Sequence, residues 1–147
     1  MIHLYPTLAR VVTYKGGAME ITTGINNFQI SENFTLSEFQ CRHCQQVKLD
    51  AKLVFLLQIL RTEIGKPIRI TSGFRCDTHN RNVGGALDSY HVKGMAADFA
   101  IAPTGLTTSQ LLDACNKVGF TGIGVYSDQG FIHVDVRPGQ QIIFRRN

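Results

Sequence analysis

His91 stands seven positions before Asp98 in SYHVKGMAADFAI, residues 89–101, and FIHVDVR, residues 131–137, carries His133 and Asp135 two positions apart. Imidazole nitrogens and carboxylate oxygens hold divalent metals, and the same groups carry protons in acid–base catalysis. Asp98 lies inside an otherwise apolar run, where a carboxylate needs a partner. Two neutral imidazoles and one carboxylate, with an open fourth position, are a usual catalytic zinc set, and zinc brings the pKa of a water down to about 7. Against this, an H-x6-D spacing also arises by chance, and a lone histidine on a strand face is often just exposed or hydrogen-bonded.

Whether these groups can meet depends on the elements that carry them. In GMAADFAI, alternation puts Ala97, Phe99 and Ile101 on one face and Ala96, Asp98 and Ala100 on the other. In FIHVDVR, Ile132, Val134 and Val136 point to the core, and Phe131, His133, Asp135 and Arg137 share the opposite face. If the two strands are neighbours, Asp98 meets His133. A glycine turn after His91 would fold it back over the first strand.

The remaining elements read as a frame for these two strands. SENFTLSEFQ has a helix-start signal, with Thr35 or Ser37 as cap and Glu38 three residues after Thr35. Asp50 caps AKLVFLLQILRTEIG, whose Leu53, Phe55, Leu56, Leu57, Ile59, Leu60 and Ile64 form a broad apolar stripe, and Gly65 and Pro67 end it. PIRITSGFR alternates as a half-buried strand, and CDTHNRNVGGALDS reads as a loop or weak helix. TTSQLLDACNKVGF is a capped helix facing inward with Leu111, Leu112, Cys115 and Val118. TGIGVY and FIHVDVRP are strands joined by the SDQG turn. The expected fold is α+β: a single domain over residues 31–147, with an antiparallel sheet and two main helices. Residues 1–30 are read as an N-terminal extension or extra strands, RVVTY and MEITTG flanking a Gly16–Gly17 turn.

Composition narrows the partners. The 147 residues are 44% hydrophobic and 18% charged, as in a globular chain able to bury a core without staples. The net charge of +4 suits solubility or mild attraction to a polyanion such as the bacterial wall. No basic helix or interleaved aromatic run points to nucleic acid. No run of 18 apolar residues and no signal-peptide pattern is present, so the expectation is a chain made in the cytoplasm and not inserted in a membrane. Of four cysteines, Cys41 and Cys44 form CRHC, half of a zinc-site pattern, while Cys76 and Cys115 stand alone. Ordinary reduced thiols in a turn are the favoured reading, and a small knuckle completed by Cys76 or His43 is the alternative.

SGFR, SYHVKGMAAD and GIGVY…FIHVDVR together resemble the zinc D-alanyl-D-alanine carboxypeptidase family, which includes wall-remodelling endopeptidases and phage endolysins and is related to the hedgehog domain. The motif SxHxxGxAxD matches at Ser89, His91, Gly94, Ala96 and Asp98, and the likeness extends over about residues 33–137. The resemblance implies Zn2+ held by His91, Asp98 and His133. It implies Arg75 as the group that stabilises developing negative charge on a substrate carbonyl. It places Ser89, His79 and Asn80 at the site loop or peptide cleft. Many members carry a glutamate shortly before the last zinc histidine, whereas Gly130 stands three before His133 here. Asp135 is the preferred acid/base candidate, with a supporting carboxylate or a salt bridge to Arg137 as its other reading.

The implied function is a monomeric zinc metallopeptidase that cuts a peptidoglycan stem peptide or cross-link, in a phage or prophage lysis enzyme that reaches the wall after release from the cytoplasm. The alternative is a catalytically inactive, zinc-containing wall-binding or phage structural domain.

Overall fold

The computed structural model describes residues 11–15, 18–22 and 26–146, and the expected Gly16–Gly17 turn lies outside the described residues. β1 (Val11–Lys15) and β2 (Ala18–Thr22) pair antiparallel, Val11 opposite Thr22 and Lys15 opposite Ala18. β3 (Gln29–Ser31) and β4 (Phe34–Thr35) form a second short antiparallel ribbon. A single 3-10 turn follows at Leu36–Phe39, and the Thr35 N–H donates to Glu38 Oε2 at 2.7 Å, half of a capping box.

α1 (Ala51–Ile64) begins where Asp50 Oδ1 accepts from the Lys52 N–H at 2.8 Å, and ends at Gly65 in a left-handed conformation with φ of 60°. It buries Leu53, Leu56, Leu57 and Leu60. The apolar stripe is narrower than the sequence suggests: Phe55 is 64% exposed and Ile59 37% exposed. Each lies two residues beyond a core leucine, about 200° round the helix, so it faces away from the sheet.

β5 (Ile70–Ser72) leads into α2 (Asp77–Asn82), a short helix, the second of the two forms the sequence allows here. α2 has no apolar periodicity to betray it. It is held by its ends, with Cys76 as cap, Asp77 in the first turn and Arg81 in the last, each suited to the helix dipole. β6 (Ala96–Ala100) is buried along its whole length. α3 (Thr108–Val118) has a capping box, Thr107 exchanging hydrogen bonds with Gln110, and stops at Gly119.

β7 (Gly122–Tyr126), β8 (Phe131–Asp135) and β9 (Ile142–Arg146) complete a five-stranded sheet in the order β5-β6-β8-β7-β9. β9 runs parallel to β7, so the sheet is mixed and not purely antiparallel as expected. Sequence analysis assigns no strand to this segment, but Ile142, Ile143 and Phe144 precede Arg145 and Arg146 and extend the ladder. α1 and α3 pack on one face of the sheet, around Leu57, Leu60, Phe99, Leu111, Phe120, Ile132 and Val134. The class is α+β. The other face of β6 and β8 is left for polar groups. No helix among the described residues is long and apolar enough to cross a membrane.

Candidate metal centre

The β6–β8 ladder sets Asp98 directly opposite His133. Both point away from the helices, as alternation requires. His91 arrives from the loop before β6. Gly94 turns that loop at φ of 72°, and a Cβ there would sit 2.4 Å from the Lys48 carbonyl oxygen. The Asp50 N–H donates to the Gly94 carbonyl at 2.8 Å, tying the loop to the start of α1. Ser89 Oγ accepts from the His91 N–H at 3.3 Å.

Three ligand-type atoms converge. His91 Nε2 lies 3.1 Å from Asp98 Oδ1, His133 Nδ1 lies 2.8 Å from the same oxygen, and the two nitrogens are 3.2 Å apart. All three residues are almost fully enclosed. The outer nitrogens fix the tautomers. His91 Nδ1 is 2.7 Å from the Gly73 carbonyl, which can only accept, so the proton is on Nδ1 and Nε2 offers a lone pair. His133 Nε2 is 2.9 Å from Asp135 Oδ2, so in the neutral ring the proton is on Nε2 and Nδ1 offers its lone pair. Two lone pairs and a carboxylate oxygen then face one another, an arrangement that requires positive charge between them. A tetrahedral ion with bonds of about 2.0–2.1 Å has ligand atoms roughly 3.3 Å apart, close to the observed triangle. The donor set therefore fits a zinc ion.

The charges agree. In the metal-free chain a proton on the facing imidazoles takes the place of that positive charge: burial would raise the Asp98 carboxyl, but hydrogen bonds from protonated His133 and His91 outweigh it and hold the group well below the usual carboxylate range. Burial would lower His133, but its bonds to Asp135 and Asp98 prevail and raise it. Arg75 Nη2 donates to Asp98 Oδ2 at 2.9 Å and its Nε donates to Ser72 Oγ at 2.9 Å. Arg75 thus reaches the site from the loop after β5.

Asp135 sits behind His133. It is 0% exposed. One oxygen accepts from His133, and Arg137 grips both oxygens, with Nε at 2.8 Å from Oδ1 and Nη2 on Oδ2. Burial opposes ionisation of Asp135, but Arg137 and His133 keep its carboxyl well below the usual range. Gly122 on β7 leaves room for it, since a Cβ there would lie 2.2 Å from both carboxylate oxygens. Asn80 is buried, its Nδ2 donating to the Ala86 carbonyl at 2.9 Å to brace the loop after α2. His79 lines a polar groove of about 220 Å³ with Glu38, Arg42, Ser72 and Gly73. Burial, then the nearby Arg75, lowers the His79 imidazole.

The Peptidase M15 family pattern matches residues 32–135, a span that contains the whole triangle, Arg75 and Asp135. The chain belongs to the peptidase M15 family. This M15 chain is 38% identical over 80 residues to the peptidoglycan L,D-endopeptidase MepK of Escherichia coli K12, covering 51% of this chain and 43% of that protein. It is 44% identical over 68 residues to the zinc D-Ala-D-Ala carboxypeptidase of Streptomyces albus G, covering 46% of this chain and 26% of that protein. The probable MepK of Haemophilus influenzae is 31% identical over 99 residues, 62% of this chain and 52% of that protein. The M15 chain thus spans about half the length, or less, of these relatives.

Three parts of the M15 site escape sequence reasoning. The Gly73 carbonyl that orients His91 is a backbone group with no residue-type signal. Ser72, which holds Arg75, reads as part of a strand and of the SGFR stretch, with no role assigned to its hydroxyl. Phe144 on β9 packs its ring against His133, with centroids 5.9 Å apart. Only the parallel pairing of β9 brings it there.

Proposed function

We propose that this chain is a zinc-dependent peptidase that hydrolyses a peptide bond in bacterial peptidoglycan. One observation carries the reading: His91 Nε2, Asp98 Oδ1 and His133 Nδ1 converge with their lone pairs inward, and Arg75 stands beside them. Those three residues would hold Zn2+. When bound, zinc supplies a Lewis acid and a water of lowered pKa.

The protein's own groups do the rest. The Gly73 carbonyl and Ser89 hold His91 in place. Arg75 keeps N–H groups to spare beyond its bonds to Asp98 and Ser72, and these face a substrate carbonyl oxygen as it gains charge. Asp135, the sequence-based candidate for proton transfer, has both oxygens occupied and contacts the outer nitrogen of His133. It serves instead as a positioning residue that fixes the His133 ring and raises its basicity.

The substrate class is supported by the activities for which the relatives are named, a peptidoglycan L,D-endopeptidase and a zinc D-Ala-D-Ala carboxypeptidase. A net charge of +4 suits an anionic wall. The finer reading, a phage or prophage lysis enzyme that acts on the wall after release from the cytoplasm, rests on the likeness of its motif to those of phage endolysins. Co-expression with a membrane-hole-forming protein tests it, with lysis expected only when both are present.

The main test is digestion of defined peptidoglycan fragments by zinc-loaded protein, read by mass spectrometry. New amino termini that vanish with chelator are expected. Wall binding with no cleavage of any fragment would make the chain an inactive wall-binding or phage structural domain.

A further inference from the structure

A second set of metal-type donors lies one residue beyond Arg75. The sulfur atoms of Cys41, Cys44 and Cys76 all lie within 4.8 Å of one another. Two of them come from CRHC and the third from a position 32 residues further along the chain. The fold, not the local sequence, supplies the ligand that the CRHC pattern lacks.

The backbone is bent to fit. The Gln45 N–H donates to the Cys41 carbonyl, and the Cys41 N–H donates to the Gln46 carbonyl, both at 2.8 Å. Gln45 adopts φ of 58°, the left-handed region a tight knuckle needs. Two sulfurs accept backbone N–H bonds at 3.4 Å, Cys41 from Cys76 and Cys76 from His79. Such donors favour thiolate, the form that binds metal. The nearest candidate for a fourth donor is His43, whose Nδ1 lies 3.5 Å from Cys76 Sγ but outside the group formed by the three sulfurs, so its ring would turn inward to complete the set. In a tetrahedral zinc site, with Zn–S of about 2.3 Å and Zn–N of about 2.0–2.1 Å, neighbouring sulfur and nitrogen ligands are roughly 3.5 Å apart. A disulfide would use two of the sulfurs and leave the third and the imidazole unexplained. Cys115 is apart from this set, buried in the core on α3.

We propose that Cys41, Cys44 and Cys76 bind a second Zn2+ in a structural site that His43 closes as the fourth ligand by a turn of its ring. Its place in the fold assigns its purpose. The segments 39–44 and 71–76 are already laced together. The Phe74 N–H donates to the Phe39 carbonyl at 2.8 Å, and Arg42 Nη2 donates to the Thr71 carbonyl at 2.7 Å. Gly73 packs so tightly on Phe39 that a Cβ would lie 2.5 Å from its Cα. The 71–76 segment supplies two parts of the first site, the Gly73 carbonyl on His91 and the Arg75 guanidinium on Asp98. A metal joining Cys76 to the knuckle fixes the far end of that segment, immediately after Arg75. The second ion is thus a clamp on the position of Arg75, and binding releases the thiol protons.

The test is metal content of the full chain purified under reducing conditions. Two zinc ions per chain are expected. His91→Ala and Cys44→Ser should each retain one. Replacing zinc by Co2+ should give sulfur-to-metal charge-transfer absorption in the near ultraviolet, present in His91→Ala and absent in Cys44→Ser. His43→Ala should surrender this metal to a chelator faster than wild type. If Cys44→Ser does not fold, His91→Ala alone decides. Its three clustered thiols should resist a thiol reagent until chelator is added. One zinc per wild-type chain, falling to none in His91→Ala, would overturn the proposal. So would a disulfide within the cluster or free reactivity of its thiols before chelation. Because His91→Ala disables only the first site, failure here is separable from failure of the peptidase reading.

Discussion

His133 and Asp98 face each other across the β6–β8 ladder, with Nδ1 and Oδ1 2.8 Å apart, and each is oriented from behind by an arginine system. Arg75 holds the outer oxygen of Asp98, and Arg137 holds Asp135, which holds the outer nitrogen of His133. The inner atoms are left free to face a cation.

Arg75→Ala should lower kcat by about 10²–10³-fold, the usual cost of removing one donor from a developing oxyanion. Zinc at the His91 site should remain. Steady-state kinetics on a peptidoglycan fragment, with metal analysis of the same sample, checks both. A loss of zinc equal to the loss of activity would assign Arg75 a purely structural part.

Asp135→Asn should weaken zinc binding by about 10–100-fold, because an amide oxygen is a poorer partner for the His133 N–H than a carboxylate. Asp135→Ala should also destabilise the chain by on the order of 3 kcal/mol, since it strands Arg137 beside a cavity. Chelator competition and denaturant unfolding separate the two effects. If Asp135→Asn abolished turnover with zinc affinity intact, Asp135 would be handling a proton after all.

The metal-free chain should respond to pH at both ends. His133 is raised above its ordinary 6.5, so its contribution is fully present below 6.5 and is lost as pH rises through the higher folded value. Asp98 and Asp135 are depressed below 3.8, so their contribution is present above that value and is lost as pH falls further. Melting temperatures from pH 3 to 9 should fall away on both sides, and zinc should flatten the alkaline limb by replacing the proton. A metal-free profile that is level above 6.5 would contradict the His133 part.

Gly94→Ala combines a left-handed backbone with a Cβ 2.4 Å from the Lys48 carbonyl oxygen. A loss of about 1–3 kcal/mol is expected, with weaker zinc binding because the His91 loop must shift. Gly65→Ala is the control: its φ is also positive but nothing lies near, so zinc binding should be unchanged.

On α1, Leu57→Ala should cost about 2–5 kcal/mol and Phe55→Ser within about 0.5 kcal/mol. Thermal or denaturant unfolding distinguishes them. Equal losses would mean that the stripe is as broad as the sequence suggests.

The sequence alone determines the local elements and the faces of the two central strands. Capping residues bound α1 and α3, and period-two alternation puts Asp98 and His133 off the core, because such signals act over a few residues. Motif spacing is enough to recognise the family. The tertiary structure decides what depends on chain segments far apart. Phe55, expected in the core stripe, is left facing solvent, and Phe144, for which the sequence suggests no part, is brought to the site by a parallel strand. Arg137 and Gly122 close round Asp135 and place its carboxylate against the outer nitrogen of His133. The CRHC half-pattern acquires Cys76 only when the loop after β5 packs against Phe39. Spacing along a chain cannot encode a meeting between residues that only packing and strand order bring together.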